Sequence, residues 1–422
     1  MPHNQASAPV FRFRSHAIAL VTAIMCFGSA ARTLCSAREG QGLSPARPAV
    51  LTGVDVYEQM NSQPFAGKRV GLVTNQTGVD SEGRRTIDVL TDNGVKLVAI
   101  FSPEHGIAGD VDAKVADSVD SKTHVPIYSL YGATRRPSDE MLKGIDVLIF
   151  DIQDAGVRFY TYVTTMGYCL EAAAKHHIQF VVFDRPDPLG GAIIEGPVLD
   201  PSRTSFTGYF SMPVRYAMTM GELAKMFNAE NHIGADLHVV TMRNWRRSLI
   251  YNHTWLKWIP PSPNLRTPGE ALFYPGLEIL QAGGVSVGRG TDAPFQEVGA
   301  PWIQADDLAA ELWPREIPGV RFVTLEFTPS DGLYRDEACQ GVKVTLTDID
   351  IFRSMRLGLE IADVLHRMYP NNFHLDKINE LLGSQSTIDR LARGDRPADI
   401  VKGWSAELDK FRKMREKYLL YH

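Results

Sequence analysis

The sequence predicts an α/β fold whose main domain is a mostly parallel sheet covered by helices. Apolar runs of strand length recur through the first half of the chain, and segments with helical spacing separate them. Strands that are apolar along their whole length are buried on both faces, which is typical of parallel sheets. Polar clusters follow four of these runs, where the carboxyl ends of parallel strands meet and bind ligands.

The predicted strands and helices alternate in the first half of the chain. The strands are RVGLVT (69–74), KLVAIFS (96–102), VPIYSLYG (125–132), DVLIFD (146–151) and IQFVVFD (178–184). The helices are RRTIDVLTDNG (84–94), which closes on a glycine, and TTMGYCLEAAAKHH (164–177). This order favours parallel strands joined by helical connections.

The second half of the chain has a different composition. Residues 201–310 are rich in loops, proline and aromatic residues. The runs 322–329 and 341–348 then predict two strands, for which antiparallel pairing is one option, and helical patterns at 351–369 and 406–421 close the chain. The second half is therefore expected to differ in fold from the first.

The N-terminus has the pattern of a secretory signal peptide over residues 1–37. Arg12, Arg14 and His16 precede an apolar run at 17–27, and small residues follow it. A Gly/Pro linker at 38–48 comes next. The apolar run is shorter than the roughly 20 residues of a membrane helix, so we expect export with no stable membrane span after signal removal. An uncleaved anchor is the alternative.

Composition excludes several classes of partner and cofactor. The chain is 44% hydrophobic and 22% charged, which is typical of globular proteins, and its net charge of −5 without a basic patch argues against a nucleic-acid partner. No G-x-G-x-x-G or H-E-x-x-H motif occurs. We therefore predict no cofactor and no metal. Beyond the signal only Cys169 and Cys339 remain, which are expected to be small buried hydrophobic residues.

Carboxylates at the strand ends point to hydrolysis of a glycosidic bond. This reaction needs one carboxylic acid to protonate the leaving oxygen, and a second group that activates water, forms a covalent bond or supports an internal nucleophile. Glu104 is the leading candidate for the acid, because Pro103 and Gly106 hold it in a turn just past a strand. Asp151 and Asp184 follow other strands, but each could instead cap a helix or pair with an arginine.

Aromatic and polar side chains near these clusters fit a sugar ligand. The segment FYTYVTT brings Tyr160 and Tyr162 beside the loop of Asp151, and WIPPSPN brings Asn264. Tyrosine rings stack on sugar faces, and amide groups bind hydroxyls and acetamido groups. The alternative is that about half of these rings belong to the core.

At these residues the chain resembles the NamZ-like exo-β-N-acetylmuramidases, a family long known only as a domain of unknown function. The matching stretches are GLVTNQTG, FSPEHG, VPIYSLYG, DVLIFDIQDAGVRFYTYVTTM, FVVFDRPDPLGG, IEGPVLD, WIPPSPN, ALFYPG, SVGRGTDAPFQEVGAPW and KFRKMREKYLLY. They extend from about residue 50 to the end of the chain. Several blocks are long, and the signal region lies outside them.

The resemblance implies a Rossmann-like domain (49–200), a smaller C-terminal α+β domain (201–422) and a cleft between them. It implies a glycoside hydrolase that releases N-acetylmuramic acid from the non-reducing ends of peptidoglycan fragments, such as MurNAc-GlcNAc saccharides. Glu104 would be the general acid/base, with His105 and Asp151 completing the catalytic group. The predicted substrate-binding residues are Asn75, Gln153, Arg158, Tyr160, Tyr162, Asp184, Arg185, Asn264, Arg289 and Thr291. An arginine suits the lactyl carboxylate of muramic acid.

One departure from the family pattern leaves alternatives open. The block before GRGT often reads FEGTN, whereas this chain has LQAGG, with Gln281 in place of the glutamate. Glutamine cannot act as an acid or a base. The chain is thus expected to be a muramidase, with two alternatives: a non-catalytic protein that binds wall fragments, or a glycosidase for another N-acetylated sugar.

Overall fold

The computed structural model describes residues 49–60, 63–111 and 113–422. The predicted signal peptide (1–37) and linker (38–48) lie outside the described residues, so both stay predictions. Within the described part of the chain, none of the helices has the length and apolar character needed to cross a membrane.

A seven-stranded sheet forms the centre of the first half and confirms the predicted α/β class. Its strands are β1 (Arg69–Thr74), β2 (Lys96–Ser102), β3 (Ser118–Val119), β4 (Pro126–Ser129), β5 (Val147–Asp151), β6 (Gln179–Phe183) and β9 (Leu237–Val240). Their order is β3-β4-β2-β1-β5-β6-β9, and every pair is parallel except β3 with β4. All five predicted strands are present, with bounds shifted by at most a few residues.

The remaining strands form two small sheets, and the helices lie throughout the chain. The strands are β7 (Glu195–Val198), β8 (Pro213–Arg215), β10 (Glu297–Ala300), β11 (Val320–Phe327) and β12 (Cys339–Leu346). The helices are α1 (Gly53–Glu58), α2 (Thr86–Asp92), α3 (Tyr162–Lys175), α4 (Met220–Glu230), α5 (Pro268–Ala282), α6 (Ala305–Leu312), α7 (Ser354–Met368), α8 (Asn379–Leu382), α9 (Gln385–Ala392), α10 (Pro397–Gly403) and α11 (Ser405–Arg415). β11 and β12 pair antiparallel, as the sequence allowed.

The central strands are continuously apolar because both faces of the sheet are covered. On β5, Val147 and Ile149 belong to one core cluster, which includes residues of α1 and α2. Leu148 and Phe150 point the other way, into a larger cluster that includes residues of α3, α4 and the second half of the chain. Cys169 and Cys339 are free and buried, as the sequence predicted.

The order of the strands places a topological switch point between β1 and β5. From β1 the chain runs outward through β2 to β4, and from β5 it runs the other way through β6 to β9. Loops leaving β1 and β5 therefore diverge, and open a crevice at the carboxyl ends of the strands. The sheet also extends past residue 200, where the sequence placed the domain boundary, because β9 supplies its seventh strand.

Helices α5 and α7 pack with their backbones in direct contact. A methyl group built on Gly358 would lie 2.2 Å from the carbonyl oxygen of Gly276, and one built on Gly276 would lie 1.9 Å from that of Ser354. Contact of backbone with backbone at this distance requires glycine at both positions. Beside these helices, β10, β12 and β11 form an antiparallel sheet.

We expect Gly358→Ala to lower the free energy of unfolding by about 1–3 kcal/mol, because the added methyl group meets backbone that cannot move aside. Gly269→Ala is the matched control, since the nearest atom to its added methyl group is the Thr267 hydroxyl at 3.6 Å. That change is expected to be neutral or stabilising by up to about 1 kcal/mol. Urea unfolding of both variants measures the difference; equal stabilities would contradict this account of the packing.

Candidate functional site

The loop after β2 presents Glu104 at the edge of the sheet. Pro103 follows directly on the strand, and the Gly106 N–H donates a hydrogen bond to the Pro103 carbonyl (3.0 Å). His105 (φ +69°) and Gly106 (φ +76°) both adopt the left-handed region. A non-glycine residue in this region is uncommon, and such backbone strain is concentrated at functional sites. Nδ1 of His105 lies 3.0 Å from the carbonyl oxygen of Val111.

The Glu104 carboxyl group is held by a hydroxyl group rather than by a cation. The Thr161 hydroxyl, immediately before α3, donates a short hydrogen bond to it. Among the residues that the structure describes, Glu104 forms no ion pair. Its side chain is half-buried and faces a cavity. Glu104 therefore lies where a ligand in the cavity could reach it.

The buried hydroxyl of Tyr162 fixes the loops around Glu104. It donates to the Pro261 carbonyl (2.6 Å) and lies 3.3 Å from the carbonyl oxygen of Glu104 itself. It accepts a hydrogen bond from Nδ2 of Asn75 (3.0 Å). Tyr162 has no exposed surface and does not line the cavity. Tyr162 and Asn75, predicted to bind substrate, therefore position the loops instead.

The cavity beside Glu104, which we call the cleft, has a volume of about 170 Å³. Its lining combines carboxyl, hydroxyl, aromatic and guanidinium groups from both halves of the chain. These residues are Glu104, His105, Phe159, Tyr160, Thr161, Thr207, Ser262, Tyr274, Glu278, Arg289 and Leu381. Four of the predicted site residues thus meet in one place: Glu104, His105, Tyr160 and Arg289.

Aromatic rings form one side of the cleft. Tyr274 packs edge-on against Tyr160 (centroids 5.9 Å apart) and Phe159 (5.5 Å), and Tyr160 packs edge-on against Tyr162 (4.8 Å). Burial raises the pKa of Tyr160 and Tyr274 well above the ordinary value. Both hydroxyl groups are therefore neutral at physiological pH and able to donate hydrogen bonds to a sugar.

An ion pair also lines the cleft. Nη2 of Arg289 donates to Oε1 of Glu278 at 2.7 Å, and both side chains are largely buried. The guanidinium group also lies 5.2 Å from the centre of the Phe295 ring. Arg289 was predicted from its glycine-rich block, whereas Glu278, on α5, was not predicted.

Asp151 does not lie in the cleft, contrary to its predicted place in the catalytic group. Its carboxylate is fully buried and forms a two-point ion pair with Arg185 (2.5 and 2.9 Å), and Thr86 donates a further short hydrogen bond to it. Arg185 also donates to the carbonyl of Val79 (2.7 Å). Asp151 ends β5 and Arg185 follows the adjacent parallel strand β6, so their side chains meet. The alternative that Asp151 pairs with an arginine is therefore correct.

Gln153 and Arg185 line a separate pocket that shares no residue with the cleft. The Gln153 side-chain amide donates to the carbonyls of Asp154 and Pro186 (2.9 and 2.8 Å), and its backbone N–H donates to the Thr77 hydroxyl. The pocket is also lined by Thr52, Thr77, Val79, Asp80, Ser81, Glu82, Gly83, Tyr251, Leu256, Lys257 and Ile259. The two predicted residues are therefore not beside Glu104.

Arg158 is a buried structural residue and not a substrate ligand. Its guanidinium group donates to four backbone carbonyls, those of Pro197, Met212, Leu381 and Leu382, at 2.7–3.2 Å. Burial lowers its pKa to about 9. Because Leu381 lines the cleft, Arg158 holds one part of the cleft in place from behind.

Asp184 is likewise buried among hydrogen-bond donors from other segments. It accepts from the hydroxyls of Tyr421 (2.5 Å) and Thr219 (2.7 Å) and from the Gly221 N–H (2.8 Å). The predicted closing helix (406–421) ends at Arg415, which leaves Tyr421 able to reach this carboxyl group. Asp184 thus anchors the C-terminus and does not line the cleft.

Asn264 and Thr291 also lie outside the cleft lining. Asn264 is half-buried in the loop before α5, two residues after Ser262, which does line the cleft. Thr291 closes the turn after Gly290, where its hydroxyl donates to the Gly288 carbonyl (2.8 Å). Their segments are correctly placed near the cleft, but neighbouring residues face it.

Five cleft residues were not singled out from the sequence: Thr207, Ser262, Tyr274, Glu278 and Leu381. Ser262 and Tyr274 lie in blocks of the family resemblance, so these blocks contained a signal for them. Glu278 follows Tyr274 by four residues on α5, a spacing that places both on one helix face. In the described part of the chain, no group of three or more His, Cys, Asp or Glu residues is arranged to hold a metal ion.

The chain matches known families and structures over almost its whole length. Residues 70–269 match the model of the exo-beta-N-acetylmuramidase NamZ N-terminal domain, and residues 272–421 match that of its C-terminal domain. The peptidoglycan beta-N-acetylmuramidase NamZ of Bacillus subtilis (strain 168) is 39% identical over 414 residues, which are 97% of this chain and 100% of that protein. The cleft is lined from both matched regions.

Two crystal structures of DUF1343 family proteins from Bacteroides fragilis NCTC 9343 share the fold. One has a TM-score of 0.82 and 40% identity, and covers 89% of this chain and 100% of its own. The other has a TM-score of 0.74 and 30% identity, and covers 89% of this chain and 99% of its own. These similarities confirm the predicted two-part α/β architecture.

We expect Tyr162→Phe to lower the free energy of unfolding by about 1–3 kcal/mol, because Asn75 and the Pro261 carbonyl each lose a buried partner. Tyr128→Phe is the control, since its ring packs against Phe101 and no hydrogen bond of its hydroxyl occurs within the described residues. Urea unfolding measures both effects. A loss of similar size in the two variants would contradict the positioning role of Tyr162.

Buried carboxyl groups near the site predict a pH-dependent stability. Burial raises the pKa of Asp154 to about 6 and those of Asp184 and Asp187 to about 7, from an ordinary value of 3.8. The folded chain therefore binds these protons more tightly than the unfolded chain. Their contribution to stability is complete below about pH 4, falls as pH rises to about 7, and is constant above that.

We expect Asp187→Asn to reduce this decline by on the order of 1 kcal/mol per pH unit, because the amide does not titrate. Urea unfolding at pH 5, 6, 7 and 8 measures the slope. The exposed Asp336, changed to asparagine, is the control and should leave the slope unchanged. An unaltered slope in the Asp187 variant would show that its carboxyl group does not take up a proton on folding.

Proposed function

The chain belongs to the exo-β-N-acetylmuramidase NamZ family, and from that premise we propose that it is an exo-acting glycoside hydrolase with Glu104 as its general acid. It releases N-acetylmuramic acid from the non-reducing ends of peptidoglycan fragments such as MurNAc-GlcNAc. The observation that carries the proposal is the Glu104 carboxyl group itself. It faces a cleft lined by both matched regions, is held by a neutral hydroxyl, and forms no ion pair among the described residues.

Glu104 is placed to give a proton to the departing oxygen of the glycosidic bond. The hydrogen bond from the Thr161 hydroxyl keeps the Glu104 carboxyl group in a fixed direction. The Tyr162 hydroxyl also binds the backbone carbonyl of Glu104. The left-handed conformation of His105 turns the chain away from β2 directly after Glu104. The acid is therefore positioned before substrate arrives, as general acid catalysis requires.

The rest of the cleft fits an N-acetylated, carboxylate-bearing sugar. The edges of Tyr160 and Tyr274 supply an apolar surface with neutral hydroxyl groups. Arg289 is the arginine that lines the cleft within the described residues, and a guanidinium group matches the lactyl carboxylate of muramic acid.

The alternative of a non-catalytic binding protein depended on Gln281. Gln281 lies near the end of α5 and does not line the cleft. The cleft contains the carboxyl groups of Glu104 and Glu278, although residue 281 is a glutamine. Glycosidases for other N-acetylated sugars differ from the proposal in one respect, the need for the lactyl carboxylate. Assays with matched muramic and glucosamine substrates separate the two functions.

We also propose that the enzyme works outside the cytoplasm, in the recycling of cell-wall fragments. The support is the N-terminal sequence, in which basic residues, an apolar run at 17–27 and small residues follow in the order of a signal peptide. Its substrate class lies in the same compartment. Fractionation of cells that produce the full chain, with mass determination of the mature N-terminus, tests this proposal; a cytoplasmic full-length product would refute it.

We expect Glu104→Gln to reduce kcat on MurNAc-GlcNAc by about 10²–10⁴-fold, because the amide cannot protonate the leaving oxygen. The loss should be smaller on 4-nitrophenyl β-N-acetylmuraminide, whose leaving group needs little protonation. Product release is followed by chromatography and absorbance, and circular dichroism checks the fold. Glu82→Gln, in the separate pocket, is the matched control and should keep full activity. Full activity of folded Glu104→Gln would refute the assignment.

A further inference from the structure

The cleft contains a second carboxyl group besides Glu104. Glu278 lies on α5, in the region matched by the C-terminal family model, whereas Glu104 lies in the region matched by the N-terminal one. Both side chains line the same cavity. The charges of both carboxylates also act on the buried Tyr274 hydroxyl, whose pKa is raised by burial first and by these charges in addition. Tyr274 thus lies within electrostatic reach of both groups.

The two carboxyl groups have different surroundings. Glu278 is bound by the Arg289 guanidinium at 2.7 Å, and a cation at this distance favours the ionised carboxylate. Glu104 is bound by a neutral hydroxyl. Pairs of carboxyl groups whose environments differ in this way divide the tasks of acid and base between them. The carboxylate paired with Arg289 is suited to accept a proton from water.

We propose that Glu278 is the general base that activates the attacking water, a role that rests on the proposed glycosidase function. The water oxygen forms a bond to the anomeric carbon while the bond from that carbon to the leaving oxygen breaks. One proton of the water passes to the Glu278 carboxylate, and the proton of Glu104 passes to the leaving oxygen. Both groups regain their starting states by exchange with solvent. The released sugar has the inverted, α configuration.

This role also explains the departure at Gln281. Residues 278 and 281 are separated by three positions on one helix, so they lie near the same face and one turn apart. In this chain the residue that lines the cleft is Glu278, and Gln281 does not line it. The carboxylate on α5 is therefore present, but one turn nearer to the start of the helix than the family resemblance predicts.

The first test is Glu278→Gln, which keeps the shape of the side chain and an oxygen for Arg289. We expect kcat on MurNAc-GlcNAc to fall about 10²–10⁴-fold with KM little changed, and the acidic limb of the pH–kcat profile to disappear. Unlike the Glu104 variant, this one should lose as much activity on the 4-nitrophenyl substrate, since water activation is needed with every leaving group. A kcat within about threefold of wild type would overturn the proposal.

Two variants serve as controls for position. Glu311→Gln changes an exposed glutamate outside the cleft and should leave activity unchanged. The double variant Glu278→Gln with Gln281→Glu moves the carboxylate by one helical turn, and should stay inactive because residue 281 does not line the cleft. Recovery of wild-type kcat in the double variant would show that position 281, and not 278, carries the base.

A chemical rescue keeps the proposal testable if the glutamine variant folds poorly. In Glu278→Ala, sodium azide needs no base to remove a proton and should restore turnover by forming the α-glycosyl azide. Proton NMR of the wild-type reaction should show the α anomer first. A β anomer, or a β-glycosyl azide from the variant, would overturn the assignment of Glu278. Wild-type enzyme that releases no sugar from any muramoyl substrate would instead refute the proposed function itself.

Discussion

The shape of the cleft depends on one buried hydroxyl group, that of Tyr162. It connects the loop after β1, through Asn75, with the loop after β2 at Glu104 and with the segment of Pro261. These segments are far apart in sequence, and nothing in their local conformation makes them meet. A hydrogen bond in a site without water has a high cost when broken, so the three loops are held as a unit. The position of the Glu104 backbone follows from this arrangement.

Buried arginines connect the two halves of the chain in a similar way. Arg158 donates hydrogen bonds to the backbone carbonyls of Pro197, in the first half of the chain, and Leu381, in the second half. Arg415, near the end of the chain, donates to the carbonyl of Gly191 (3.3 Å) in the first half. A guanidinium group has five donors in a fixed plane, and can therefore satisfy several carbonyls that regular structure leaves unpaired. Arg158 was predicted to bind substrate because a sequence does not show whether the acceptors of an arginine belong to a ligand or to the protein's own backbone.

The sequence predicted the sheet well because each strand carries its own signal. β5 is apolar throughout, and Val147 and Leu148 are buried on opposite faces, so burial on both sides could be inferred locally. The turn that contains Glu104 was also predictable, since Pro103 and Gly106 define it within four residues. Glu278 was not, because a glutamate on a helix usually faces solvent. Only the approach of Arg289 and the position beside the cleft, which are tertiary contacts, show that this glutamate is buried and lines the cleft.

The strand order would place a ligand at the switch point between β1 and β5, and the separate pocket of Gln153 and Arg185 lies at these strand ends. Asp151 pairs with Arg185 there, and the hydroxyl of Thr74 donates to the Asp151 carbonyl at 2.9 Å. Thr77 connects the loops after β1 and β5, since its hydroxyl accepts a hydrogen bond from the Gln153 N–H (2.9 Å) and donates one to Oδ1 of Asn75 (2.6 Å).

Polar groups that satisfy one another in this way gain little from a ligand, because binding would have to replace bonds that already exist. Glu104 is instead on the loop after the neighbouring strand β2, one position away from the switch point. There the second half of the chain adds Glu278 and Arg289 to the lining of the cleft. The parallel sheet thus provides rigid strand ends, and the packing of α5 beside them turns one of these ends into a cleft.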